Sequence, residues 1–222
     1  QTSNTPTPIL IPLTHPRSPA AEAYHTLRTN LTFAALDRPI ETLVVTSPAP
    51  DAGKSTVLAN LAVTLAQGEQ RTILVDADLR RPALHEIFGV PNDRGLTTMF
   101  VEEAALGNPP LVGSGVENLW LLPSGPLPPN PADLLGSRKM EQAIAALKAQ
   151  ADIVLFDAPP VIAVTDAVVL SARVDGVLLV VSAGRTRRDH TQRAKELLER
   201  VHARIVGAVL NDAPRGVILG GY

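Results

Sequence analysis

The sequence predicts an α/β fold, a doubly wound and mostly parallel sheet flanked by helices. Short apolar segments rich in β-branched residues alternate with segments of helical periodicity, as they do in βαβ units. The apolar segments have no polar face, which is typical of parallel strands covered by helices on both sides. Hydrophobic residues make up 45% of the 222 residues, enough to build a core of the required size.

The proline-rich residues 1–19 are predicted to form an extended arm, because proline fixes its own φ and favours an extended residue before it. Residues 20–222 are predicted to form one domain. Its first helix should begin after Ser18 and Pro19, a pair typical of a helix start. Tyr24, Leu27 and Leu31 recur at helical spacing and form its apolar stripe.

The remaining elements follow from the same two periodicities. Strands are predicted at residues 42–47, 72–77, within 116–125, and at 151–160, 175–183 and 204–212. Helices are predicted at residues 54–67, 137–150, 164–172 and 186–203. The second of these helices should open at Ser137, whose hydroxyl can accept a hydrogen bond from a free backbone N–H.

The composition excludes several classes of function. With no cysteine, the chain has no disulfide, catalytic thiolate or cysteine-ligated metal. The formal net charge is −2, and acidic residues interleave the basic ones over residues 185–204, so no nucleic-acid partner is expected. No apolar run approaches the roughly 18 residues that a membrane-spanning helix needs, and we expect a cytoplasmic protein.

A phosphate-binding loop is predicted between the first strand of the sheet and the helix that follows it. The segment Gly53-Lys54-Ser55-Thr56 matches the second half of the GxxxxGK[ST] pattern. In that pattern backbone amides cradle phosphates, the lysine reaches the outer phosphates and the next hydroxyl binds Mg²⁺. A capped turn is the alternative, and Pro48 stands where the pattern has its first glycine. The nucleotide-binding candidates are Ala49, Pro50, Asp51, Ala52, Gly53, Lys54, Ser55 and Thr56.

Three carboxylates end two of the predicted strands. Asp76 and Asp78 lie two residues apart in ILVDADLRRP, so both can face the crevice beyond the strand ends. Asp157 ends the apolar strand of IVLFDAPPV, a pattern typical of a carboxylate that holds Mg²⁺. Such a group could share a metal ion, and one member could accept a hydroxyl proton. Alternatively, the aspartates of the first segment only cap the turn that follows.

The three elements together resemble the bacterial tyrosine kinases of capsule and exopolysaccharide export systems, and ILVDADLRRP is the most specific of them. The resemblance implies ATP and Mg²⁺, with Lys54 as the catalytic phosphate-binding lysine. It implies that Ser55, Asp78 and Asp157 hold the metal and that Asp76 deprotonates the acceptor tyrosine. Asn211 resembles an adenine-reading asparagine, although an asparagine in a turn explains it equally well.

The resemblance also implies a homo-oligomer, phosphorylation of a carboxyl-terminal tyrosine by a neighbouring chain, and protein substrates. Tyr222, after two glycines, is the expected acceptor, since Tyr24 lies on an apolar stripe. Glu22 and Arg28 match two of the three charged positions of the family's oligomer-forming helix, whereas His25 replaces the arginine between them. A membrane-embedded chain-length regulator of polysaccharide synthesis would activate the kinase and recruit it to the inner face of the membrane.

Two departures keep other functions open. The loop reads PDAGKS where the family usually has PGEGKS, so Asp51 places a carboxylate near the phosphates and Ala52 replaces a glutamate. With so few tyrosines, a non-catalytic, nucleotide-gated oligomeric scaffold is one alternative. A septum-placement or partitioning ATPase is the other, but those proteins usually carry a second lysine where this chain has Ala49.

Overall fold

The structure is a computed structural model that describes residues 10–214. Its centre is a seven-stranded sheet in the spatial order β3-β4-β2-β5-β1-β6-β7. The strands are β1 (Thr42–Thr46), β2 (Thr72–Asp76), β3 (Val112–Gly113), β4 (Leu119–Leu122), β5 (Ile153–Asp157), β6 (Gly176–Ser182) and β7 (Ile205–Asn211). All neighbours pair in parallel except β3, which runs antiparallel to β4 at the sheet edge. The predicted fold class is confirmed.

Ten helices lie among the described residues. They are α1 (Ile11–Thr14), α2 (Pro19–Ala34), α3 (Lys54–Gln67), α4 (Leu84–Phe88), α5 (Thr98–Val101), α6 (Glu103–Gly107), α7 (Pro131–Leu135), α8 (Arg138–Lys148), α9 (Asp166–Ser171) and α10 (Arg188–Glu199). Helix α1 and helices α4 to α7 were not predicted, because helices this short do not complete an amphipathic repeat.

Two hydrophobic cores lie on opposite faces of the sheet. Alternate residues of each strand point to opposite faces, so Val154 and Phe156 of β5 enter one core while Ile153 and Leu155 enter the other. The first core is completed by helices α5 to α10, and the second by α2, α3 and α4. Burial on both faces explains why the central strands are apolar throughout.

The helix starts predicted from the sequence are confirmed at two positions. The hydroxyl of Ser18 accepts a hydrogen bond from the backbone N–H of Ala21, and Pro19 occupies the first turn of α2. Ser137 caps α8 in the same way by accepting from the N–H of Met140. Both caps satisfy backbone donors that a helix leaves free at its first turn.

The described part of the proline-rich segment, residues 10–19, departs from the prediction of an extended arm. Residues 11–14 form the helical turn α1, in which Pro12 is buried. The backbone N–H of Ile11 donates to the side-chain oxygen of Asn60 on α3, at 2.7 Å. Proline is compatible with the first turn of a helix, and burial against α3 supplies the stability that the isolated segment lacks. No helix among residues 10–214 is long and apolar enough to cross a membrane.

Candidate active site

The loop between β1 and α3 has the backbone conformation that the phosphate-binding pattern requires. Gly53 has φ +78°, and a Cβ added there would lie 2.4 Å from the side-chain amide nitrogen of Asn211. Only glycine satisfies both constraints. The same Asn211 amide donates to the carbonyl oxygen of Ala52 at 3.0 Å. The last strand of the sheet therefore supports the loop through Asn211, next to residues that are predicted to bind the nucleotide.

Asp51 also has a left-handed backbone, with φ 59°. A non-glycine residue in this region carries a conformational cost, although aspartate tolerates it better than most. Asp51 is exposed, and it lines the same cavity as Lys54. The family's glycine at this position would fit the observed backbone without strain.

Replacing Asp51 should therefore strengthen nucleotide binding. We expect Asp51→Gly to bind ADP·Mg²⁺ several-fold more tightly for two reasons. The change removes a negative charge near the phosphates, and it removes the conformational cost, roughly 1 kcal/mol, of an aspartate with a left-handed backbone. Asp51→Asn is the matched control, since it removes the charge but keeps a side chain that tolerates this backbone. Titration calorimetry measures both. Weaker binding by both variants would show that the Asp51 carboxylate supports the loop.

Lys54 lies at the centre of a charged cluster beneath the loop. Its ammonium is 3.0 Å from a carboxylate oxygen of Asp78 and 3.0 Å from one of Asp157. The hydroxyl of Ser55 donates to the other oxygen of Asp157. Burial lowers the pKa of Lys54, but the two carboxylates outweigh it and the net shift is upward. Lys54 therefore stays charged and balances part of the negative charge of these two carboxylates.

Asp76 is the third carboxylate of the cluster. It pairs in register with Asp157 across β2 and β5, so the two lie side by side at the carboxyl edge of the sheet. Both are completely buried. Burial, reinforced by the Asp157 charge, raises the pKa of Asp76 to about 8. Burial also raises the pKa of Asp157, against the opposing effects of Lys54 and Ser55.

Asp76 and Asp78 face different surroundings, although the sequence suggested that both face the crevice. One oxygen of Asp76 accepts hydrogen bonds from the backbone N–H groups of Ala83 and Leu84, both at 2.9 Å, while its other oxygen has no hydrogen-bond partner among the described residues. Asp78 instead lines an open cavity of about 250 Å³ with the phosphate-binding loop. Asp78 is thus the more accessible of the two carboxylates.

The oxygen donors of this cluster fit a magnesium ion. Mg²⁺ binds hard oxygen ligands, commonly one or two carboxylates together with a hydroxyl and phosphates. Ser55, Asp78 and Asp157 supply such oxygens around Lys54. Two carboxylates contact a single ammonium, so this pair carries a negative charge that Lys54 leaves unbalanced and that a cation would balance.

Two neighbouring arginines have different environments, which the sequence did not reveal. Arg80 binds the buried Asp166 of α9 through two hydrogen bonds, of 2.9 and 3.0 Å. This bidentate pair fastens the segment after β2 to α9. Arg81, the next residue, lines the cavity beside Lys54. Nothing local in the sequence distinguishes them, because the partner of Arg80 lies 86 positions further along the chain.

The loop PSGPLPPNPADLL lines a larger cavity of about 580 Å³, together with α5. Its apolar lining residues are Phe100, Val101, Leu134 and three prolines, and its charged lining residues are Asp93, Arg94, Glu102 and Asp133. It contains none of the carboxylates of the cluster around Lys54. Lys54, Ser55 and Asp78 instead line the smaller cavity at the phosphate-binding loop.

The residues expected in the oligomer contact occupy different positions on α2. Glu22 is exposed. The guanidinium of Arg28 donates to the carbonyl oxygen of Thr64 on α3 at 3.0 Å, so within one chain it joins two helices. Tyr24 packs against the second core, and burial, with a smaller effect of Asp212, raises its pKa to about 12. Tyr222 lies outside the described residues.

Comparisons with known proteins are consistent with a nucleotide-binding site. Residues 43–215 match the family model of the CobQ/CobB/MinD/ParA nucleotide-binding domain. The chain is 41% identical over 202 residues to tyrosine-protein kinase YwqD of Bacillus subtilis, covering 91% of this chain and 85% of that protein. It is 34% identical over 201 residues to tyrosine-protein kinase CpsD of Streptococcus agalactiae, covering 90% and 86% of the two chains.

Solved structures give the same assignment. The kinase domain of the Escherichia coli tyrosine kinase ETK superposes with a TM-score of 0.87 at 32% identity, covering 96% of this chain and 84% of that one. The septum site-determining protein MinD of Pyrococcus horikoshii, with a TM-score of 0.63, 24% identity and 79% and 72% of the chains covered, shares the fold alone. The chain therefore belongs to the CobQ/CobB/MinD/ParA nucleotide-binding domain family and, within it, to the bacterial tyrosine-protein kinases.

Proposed function

We propose that this chain transfers the γ-phosphate of ATP to the phenolic oxygen of tyrosine, including Tyr222 of a neighbouring chain. The observation that carries the proposal is the cluster at one edge of the sheet, where Lys54, Ser55 and three carboxylates meet below a phosphate-binding loop. The tyrosine oxygen forms a bond to the γ-phosphorus, the bond to the bridging oxygen breaks, and ADP leaves.

Each residue of the cluster has a distinct part in this proposal. The backbone of residues 49–56 binds the phosphates. Asn211 supports this loop through its hydrogen bond to the carbonyl oxygen of Ala52 and contributes to the adenine site. Ser55, Asp78 and Asp157 hold Mg²⁺, which neutralises phosphate charge when it is bound. With these carboxylates engaged, Lys54 becomes available to the outer phosphate oxygens. Asp76 takes the phenolic proton on the oxygen that has no partner.

The proposal is tested by incubating the protein with ATP·Mg²⁺ and detecting phosphotyrosine with a specific antibody and by mass spectrometry. We expect phosphotyrosine with ATP·Mg²⁺, and none with ADP·Mg²⁺ or with ATP in the presence of a chelator. A scaffold would bind nucleotide without forming phosphotyrosine. A partitioning-type ATPase would release inorganic phosphate, again without phosphotyrosine.

The metal assignment makes a separate prediction. Asp78→Asn and Asp157→Asn should weaken binding of ADP·Mg²⁺ about tenfold or more, and binding of metal-free ADP much less, because Mg²⁺ prefers charged oxygen ligands. Calorimetry with and without Mg²⁺ measures both affinities. Asp152→Asn, which alters an exposed carboxylate paired with Arg71, is the control. Equal affinity with and without Mg²⁺ in every protein would contradict the assignment.

The proposed biological setting is based on the resemblance to bacterial tyrosine kinases of polysaccharide export and on the tyrosine-kinase relatives. We propose that the chain forms homo-oligomers in which the exposed Glu22 takes part. Arg28 contributes by holding α2 against α3. A membrane-embedded regulator of polysaccharide chain length would recruit the chain to the inner face of the membrane and activate it. Phosphorylation would then regulate capsular or exopolysaccharide synthesis and export.

A further inference from the structure

Arg81 lies in the wall of the nucleotide cavity, outside the phosphate-binding loop. It lines the cavity of about 250 Å³ together with Gly53, Lys54, Ser55 and Thr56. Arg81 and Lys54 are the two cationic side chains of that lining. Any phosphate group bound in the loop therefore lies near two positive charges, one of which belongs to the segment that follows β2.

The two cations differ in what they bind. Lys54 is held by Asp78 and Asp157, at 3.0 Å from each. Arg80 is likewise held, by Asp166. Within residues 10–214, the guanidinium of Arg81 has neither an ion pair nor a hydrogen bond, and the residue is exposed. Its five N–H donors therefore remain available to a ligand in the cavity.

The backbone of Arg81 is nevertheless fixed at the site. Its N–H donates to Asp78 at 3.0 Å, and the N–H of Arg80 approaches the same carboxylate oxygen at 3.4 Å. The pair between Arg80 and Asp166 fixes the preceding residue to α9. The main chain thus holds Arg81 beside the cavity, while its side chain is free to turn towards a ligand.

We propose that Arg81 is a catalytic residue that binds the γ-phosphate of ATP and stabilises its charge during transfer to tyrosine. This inference rests on the function proposed above. A guanidinium presents two parallel donors that match two phosphate oxygens. Charge spreads over the equatorial oxygens of the phosphoryl group in the transition state, and a positioned arginine stabilises that charge. Lys54 and Arg81 then contact the phosphate from different elements of the fold.

The experiment compares Arg81→Ala and Arg81→Lys with the parent protein and with Arg187→Ala. The control removes an exposed arginine paired with Asp189, far along the chain, and makes the same change in net charge. Calorimetry gives affinities for ADP·Mg²⁺ and for a non-hydrolysable ATP analogue with Mg²⁺. Initial rates are measured on two tyrosine peptides, one with neutral and one with acidic residues beside the tyrosine.

We expect Arg81→Ala to bind ADP within about twofold of the parent, to bind the analogue about tenfold more weakly, and to lose about 10²-fold or more in kcat on both peptides. Arg81→Lys should recover part of the loss, and Arg187→Ala should match the parent. Equal weakening for ADP and the analogue, or no change for either, would overturn the proposal. A loss confined to the acidic peptide would overturn it too, by assigning Arg81 to acceptor recognition.

The outcome also separates this inference from the proposed function. If the parent protein phosphorylates both peptides and Arg81→Ala does so equally well, the inference fails while the kinase function stands. If the parent protein binds neither nucleotide and phosphorylates neither peptide, both fail.

Discussion

The Lys54→Met variant should lose tyrosine phosphorylation by about 10³-fold or more, because a fixed positive charge at the transferring phosphate is removed. The positive charge of Lys54 also contributes to the stability of the folded protein. Lys54 is the ammonium that lies between Asp78 and Asp157. Breaking a buried ion pair costs roughly 3–5 kcal/mol, part of which the carboxylates recover by taking up protons. The metal-free variant should therefore melt at a lower temperature.

Mg²⁺ with nucleotide should restore much of the lost thermal stability without restoring activity, because another cation then balances the carboxylates. Phosphotyrosine blotting measures the activity and differential scanning calorimetry the stability. Lys195→Met is the matched control, since Lys195 is a half-exposed lysine paired with Glu199 on α10. Undiminished phosphotyrosine in Lys54→Met, or an unchanged melting temperature in the absence of metal, would contradict the roles given to this lysine.

Asp76→Asn should lower the rate of tyrosine phosphorylation by about 10²–10⁴-fold, the usual contribution of a general base. Its nucleotide affinity should stay close to that of the parent protein, because Asp76 is not among the proposed metal ligands. The asparagine oxygen can still accept from the N–H groups of Ala83 and Leu84. Since a buried carboxylate is replaced by a neutral amide, the metal-free variant should melt at the same temperature or higher.

Asp76→Asn and Asp78→Asn together separate the loss of a base from the loss of a metal ligand. Asp76 is completely buried, whereas Asp78 lines the cavity. Proton transfer to Asp76 therefore requires the cavity to open towards it when the acceptor binds. If Asp76→Asn keeps full activity at saturating ATP·Mg²⁺, the assignment of Asp76 as the base is wrong. Loss of activity in Asp78→Asn is expected in either case, because Asp78 is a proposed metal ligand.

The part of the site whose residues lie at the ends of strands was predictable from the sequence. In a parallel sheet the carboxyl ends of the strands meet at one edge, so the phosphate-binding loop after β1 and the aspartates that end β2 and β5 had to converge. The register of β2 and β5 confirms this, since Asp76 and Asp157 are direct partners. The helices α3, α8 and α10 were also predictable, because each is long enough to show its periodicity.

Other features depend on contacts between distant segments. The bidentate pair of Arg80 with Asp166 and the contact of Asn211 with Ala52 join residues 86 and 159 positions apart. Nor could the sequence show that Asp76 turns one oxygen to the backbone of Ala83 and Leu84, which separates its surroundings from those of Asp78. The helical turn α1 forms against α3, and proline content alone favoured an extended segment there.

The most direct test of the kinase assignment is a mixing experiment with mass-spectrometric mapping of phosphotyrosine. The parent protein is mixed with Lys54→Met chains of distinguishable mass, and ATP·Mg²⁺ is added. We predict phosphate on Tyr222 of the Lys54→Met chains only when the parent protein is present, at a rate that rises with protein concentration. Absence of phosphotyrosine from both chains, while the parent protein still binds ATP·Mg²⁺, would contradict the account.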